Sequence, residues 1–241
     1  MRLVLGGLVL GALVALGALG LWVLEGPPRT PPWDLGSAVL LATTLLTTVG
    51  YGSVTPRSPA GRAFCAAYVA LGVPVTMVVL TATTRRLAGP LVHRPRRHLQ
   101  ARWGYSQRGA ARLHLLGLVA GTFLGLVLLP AAAFYALEGT WTYLDAVYFC
   151  VISLCTVGLG DLVPAEAPSQ PLRQLYQVAV AAYLLLGVTS VLLLVQTFHG
   201  LVELHGITGG VSSPDEGAGL LEGMRDEEKT AQGRGDEGGN E

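Results

Sequence analysis

The chain has 241 residues, of which 51% are hydrophobic and only 13% charged, and its 16 basic and 16 acidic side chains leave no net charge. Mean hydropathy is +0.51, displaced well away from a soluble domain and towards a membrane protein. Three cysteines (Cys65, Cys150, Cys155) lie in apolar stretches, which argues against a disulfide scaffold or a paired-cysteine metal site.

In chain order, residues 3–24 form an uninterrupted run without a charged side chain. As a helix it extends about 33 Å, enough to cross a bilayer. A secretory signal peptide is the competing reading, but the run exceeds a usual signal core and only Arg2 precedes it. The proline-rich stretch Pro27-Pro28-Arg29-Thr30-Pro31-Pro32 follows. Residues 34–47 then make a short apolar helix that starts after the capping residue Asp34, and it leads into Thr47-Thr48-Val49-Gly50-Tyr51-Gly52. Residues 53–62 read as a polar loop. The second span covers residues 63–84, interrupted by Gly72 and Pro74, a pair that suits either a hinge or a tolerated helix irregularity.

Between residues 85 and 112 lie eight arginines and no acid. Excess positive charge places this segment in the cytoplasm, where it sets topology and touches anionic lipid. Lying between two spans, it is not read as a nucleic-acid patch. The third span covers residues 115–137 and the fourth 174–198. Between them, residues 142–155 make a second short helix that ends in Cys155-Thr156-Val157-Gly158-Leu159-Gly160, followed by Asp161. Four spans with the basic loop inside put both termini in the cytoplasm. No span carries arginines at every third position, so no voltage sensor is expected.

The two hexapeptides are an internal repeat. Placing Thr48 on Thr156 also places Trp33 on Trp141 and Pro56 on Pro164. A lone T-V-G-x-G is a weak signal, but recurrence at matched spacing between long apolar segments points to two pore loops. A selectivity filter replaces an ion's hydration shell with rings of backbone carbonyls. Gly50, Gly52, Gly158 and Gly160 accept positive φ, which lets alternate residues turn their carbonyls to one side. Thr48 and Thr156 add a hydroxyl at the inner mouth, and Val49 and Val157 brace the loop from outside. The negative ends of the two short helices favour a cation.

The doubled T-V-G-[YL]-G filter, Leu24-Glu25-Gly26 and Leu137-Glu138-Gly139 closing the outer helices, and Gly72-Val73-Pro74 together resemble the two-pore-domain potassium channels. Leu159 in place of an aromatic residue, with Asp161 after it, resembles the TWIK branch of that family. The resemblance covers nearly all of residues 3–208. It implies an all-α membrane protein with two re-entrant pore helix and filter loops per chain, assembled as a pseudo-fourfold dimer. K+ would be the permeant ion, bound at Thr48, Val49, Gly50, Tyr51 and Gly52 and at Thr156, Val157, Gly158, Leu159 and Gly160, with no other cofactor. The family carries a long extracellular cap where this chain has only the proline-rich stretch after Gly26. Ser53 stands where some relatives carry a proton-sensing histidine, so acid block there is not expected.

The resulting division is a first pore repeat (1–84), a basic cytoplasmic linker (85–112), a second pore repeat (113–205) and an acidic tail expected to be disordered (206–241). Within the tail, Glu216, Leu220 and Leu221 match an acidic dileucine sorting signal, which adds endosomes and lysosomes to the plasma membrane as expected locations. Asp161 is expected to concentrate cations at the outer mouth or to cap a turn. Glu25 and Glu138 are expected to play a structural role at helix ends. Leu71, Val75, Val188 and Leu192 are expected to line the inner vestibule. Partners are a second copy, membrane lipids and related channel subunits, with no nucleic acid. The five histidines lack metal-ligand spacing and no nucleophile motif occurs, so no enzyme is read. Two functions follow: a potassium leak channel, or a non-conducting membrane subunit that modulates or sequesters a partner channel.

Overall fold

A computed structural model describes residues 2–25, 33–103, 107–165 and 172–204. The regular secondary structure among them is helical, with no strand. In order they form α1 (Arg2–Glu25), α2 (Leu35–Leu46), α3 (Pro59–Ala88), a π-helical turn (Gly89–His93), α4 (Arg94–Trp103), α5 (Gln107–Phe123), a second π-helical turn (Leu124–Leu128), α6 (Leu129–Leu137), α7 (Tyr143–Leu154) and α8 (Arg173–Leu204). The chain divides into two units after His199, and the second is described only over residues 200–204.

Four helical stretches are long and apolar enough to cross a membrane: Val4–Glu25, Pro59–His93, Gly109–Leu137 and Arg173–Val202. The protein is accordingly a multi-pass membrane protein. The second span begins earlier than its uncharged run suggested. Ser58 accepts a hydrogen bond from Gly61 N at 2.9 Å and Pro59 takes the first helical position, so the helix starts within the expected polar loop. It runs on through Arg85 and Arg86, whose charge suits a helix C-terminus. In the third span, Pro130 follows the turn Leu124–Leu128. Proline lacks an N–H, and the wider turn shifts the hydrogen-bond register upstream of it.

Two apolar cores hold the two repeats. In the first, Ala18 and Leu21 of α1, Ala38, Leu41 and Leu46 of α2, and Tyr68 of α3 pack together. Small residues let α1 approach α3. Gly17 lies against the Tyr68 ring and Gly20 against the Phe64 ring, leaving no space for a Cβ. Tyr68 also donates to Leu13 O at 3.0 Å. The second core joins Val127, Phe134, Phe149, Cys150, Leu154 and Leu184, and it takes in Val49 and Tyr51 from the first repeat. The first filter is therefore packed into the second repeat, which brings the two hexapeptides together.

Candidate ion-conduction site

The two pore helices, α2 and α7, start and end at matched positions under the offset that places Thr48 on Thr156. Each is started by its own side-chain cap. Asp34 accepts from Ser37 N at 2.8 Å. At the matching positions, Thr142 and Asp145 form a reciprocal capping box. The hydrogen bonds from Thr142 hold the Asp145 carboxyl below its ordinary range.

Both helices end by turning the next backbone N–H groups back onto their last carbonyls. Val49 N and Gly50 N donate to Thr44 O at 3.0 and 3.2 Å, and Val157 N and Gly158 N donate to Ile152 O at 3.0 and 3.3 Å. Beyond that point every second residue is left-handed. Thr48, Gly50 and Gly52 have φ of 60, 55 and 75°, and Thr156, Gly158 and Gly160 have 56, 52 and 77°. The glycines adopt this conformation freely. For the two threonines it costs about 1–2 kcal/mol each, a strain that reasoning from glycine alone did not reveal.

The two filter strands lie side by side. A Cβ on Gly158 would collide with Val49 O, and one on Gly160 with Tyr51 O, whereas a Cβ on Gly50 or Gly52 would meet nothing. Burial is equally one-sided: Val49 and Tyr51 are 4% and 8% exposed, but Val157 and Leu159 are 53% and 60% exposed. Tyr51 donates to Ser153 Oγ at 2.7 Å and its ring stacks on Phe149 with centroids 5.9 Å apart. Its hydroxyl thus reaches the pore helix of the other repeat.

Further side chains brace the outer loops. Glu25, at the end of α1, accepts from Arg57 N, Ser58 N and Ser58 Oγ at 3.1, 3.1 and 2.9 Å. Glu138, just after α6, accepts from Ala165 N at 2.8 Å. Arg57 and Ala165 are matched under the same repeat offset, although the two glutamates are not. Two differently connected buried carboxylates thus hold the same backbone amide behind each filter. Asp161 accepts from Tyr148 Oη at 2.9 Å, which ties the second filter's mouth to its own pore helix. Arg173, at the start of α8, pairs with Asp34 at 2.7 Å and donates to Ala165 O at 2.8 Å, joining the first pore helix to the loop after the second filter. The sequence did not single out Ser153, Tyr148 or Arg173. A lone serine in the apolar α7 was the available signal, while the Arg173–Asp34 pairing joins distant parts of the chain and leaves no local pattern.

Helix α3 is continuous through Gly72 and Pro74. A Cβ on Gly72 would lie 2.7 Å from Leu46 Cδ2, and one on Gly187 would collide with the Leu154 side chain. Both inner helices therefore use a glycine to receive the last leucine of a pore helix. Leu71 and Val75 are 74% and 43% exposed, and Leu192 is partly buried. Val188, expected with them in the vestibule, is instead buried next to Gly187, where α8 lies against the end of α7. No group of three metal-ligating side chains occurs among the described residues. The proline-rich stretch and Glu216, Leu220 and Leu221 lie outside the described residues.

A sequence model of a family described as an ion channel matches residues 8–88 and 122–203, one stretch for each repeat. The chain is 41% identical over 197 residues to potassium channel subfamily K member 1 of Bos taurus and of Homo sapiens, covering 81% of this chain and 58% of each relative. It is 40% identical over 224 residues to potassium channel subfamily K member 7 of Homo sapiens, covering 88% of this chain and 71% of the relative. The chain thus spans somewhat more than half the length of the member 1 proteins.

Proposed function

The chain belongs to the two-pore-domain potassium channel family, within its TWIK branch, and on that premise we propose that it is a potassium-selective background channel. Two copies supply four filter strands around one axis and conduct K+ passively. The observation that carries this reading is the pair of adjacent filter segments with left-handed residues at every second position, each fed by the negative end of a short apolar helix.

A second copy is supported by the one-sidedness of the filters. Gly158 and Gly160 are closed in by the first filter's carbonyls, while Gly50 and Gly52 face open space that a partner's second filter would occupy. The homodimer is thus the basic unit, with related subunits as alternative partners and anionic lipid against the basic linker. The arginines of residues 85–112 keep that linker, and with it both termini, in the cytoplasm. Gly72 and Pro74 supply a hinge to the inner helix. Glu216, Leu220 and Leu221 divide the protein between plasma membrane and endosomes or lysosomes, and replacing both leucines with alanine raises its surface density.

The test is electrical. In cells expressing the chain, the added current reverses at the potassium equilibrium potential and flows at all voltages without time-dependent activation. A surface-expressed protein that adds no current, yet changes that of a co-expressed relative, supports the non-conducting subunit instead.

A further inference from the structure

The two filters differ at one matched position, Tyr51 and Leu159, and among the positions at which the pore helices differ are Leu45 and Ser153, which the same offset relates. Within one chain the polar members meet, Tyr51 donating to Ser153 Oγ at 2.7 Å. The apolar members do not meet in one chain. Leu159 is 60% exposed, and Leu45 is only partly buried at the edge of the first core. Phe149, the ring beside Tyr51, has Leu41 as its match. The polar pair is thus made inside one chain, while Leu159 is left exposed.

We infer that Leu159 packs against Leu45 of the partner subunit, as Tyr51 packs against Ser153 within its own chain. This rests on the dimer reading and adds a contact that sets which filter seats against which pore helix. The filter ring then alternates between two kinds of joint, a hydroxyl pair inside each subunit and a leucine contact between subunits. An exchanged arrangement, with Tyr51 seated against the partner's Leu45 and Leu159 against the partner's Ser153, would leave both hydroxyls unpaired, and an unpaired buried hydroxyl is disfavoured. Leucine at position 159 is in this view the complement of leucine at position 45, not merely the loss of a tyrosine.

The experiment uses two full-length copies joined in tandem, with the mass of the unlinked protein checked by light scattering. Leu159→Tyr in one half alone buries an unsatisfied phenol against Leu45, loosens the seat of the second filter and lowers the K+ over Na+ permeability ratio. Leu45→Ser in the other half restores the ratio, whereas Leu45→Ser in the same half, or Leu35→Ser in the other half, does not. Should Leu159→Tyr fail to assemble, Leu159→Ala with Leu45→Phe in the other half gives the same trans-only rescue through volume. A dimer with rescue in cis, or with none, overturns the contact and leaves the dimer standing. A protein that is monomeric by light scattering removes both.

Discussion

Tyr51 Oη and Ser153 Oγ are 2.7 Å apart across the two repeats, so the outer half of the first filter is held by the second repeat's pore helix. The bond is buried, and losing it costs about 1 kcal/mol, with more if one partner remains unpaired. Tyr51→Phe and Ser153→Ala each lower the K+ over Na+ permeability ratio measured from bi-ionic reversal potentials. The double variant loses less than the sum of the singles, because no orphan hydroxyl remains.

Glu138 and Glu25 hold the amides of Ala165 and Arg57 behind the two filters. A carboxylate acceptor makes a bond roughly twice as strong as a neutral one. Glu138→Gln keeps shape and acceptor but removes the charge, so it shortens single-channel openings moderately. Glu138→Ala leaves the buried Ala165 N–H without this acceptor, lowers stability by about 1–3 kcal/mol and shortens openings further. Glu25→Ala exceeds Glu25→Gln in the same way, since Glu25 serves three donors.

The Arg173–Asp34 pair is mostly shielded, with side chains 10% and 21% exposed. Asp34→Asn strips charge from a shielded partner and lowers the melting temperature of the purified protein. Arg173→Lys lowers it as well, although the charge is kept. Lysine presents a point charge and cannot serve Asp34, Ser37 and Ala165 O from one planar fork.

Gly50 and Gly158 share a left-handed φ, but only at Gly158 would a Cβ collide within the chain. In the proposed dimer, Gly50 would lie beside the partner's second filter and the two positions would become equivalent. Gly50→Ala and Gly158→Ala therefore reduce single-channel conductance to a similar degree. A Gly50→Ala channel of normal conductance would contradict the two-copy filter.

The features most legible in the sequence are those with local signatures. Asp34 and Thr142 marked the starts of the pore helices because their side chains cap them, and the apolar runs marked the spans. The start of α3 at Pro59 was hidden because charge alone defined the loop before it, although Ser58-Pro59 is a cap signal. The left-handed φ of Thr48 and Thr156 follows from the filter's alternation and not from their own preference. The joints between repeats, Tyr51 with Ser153 and Arg173 with Asp34, depend on tertiary packing, as does the burial of Val188 beside Gly187. The internal repeat was the one long-range fact that could be read directly, and it also relates the equivalent amides of Arg57 and Ala165.

If two of these chains form a potassium pore, ion flux through the purified protein in liposomes reveals it, with Gly50→Glu as the blocked control. Barium-sensitive flux that favours potassium over sodium and disappears in the control is the expected result. Folded, dimeric protein that carries no potassium flux, or equal flux with and without Gly50→Glu, would contradict it.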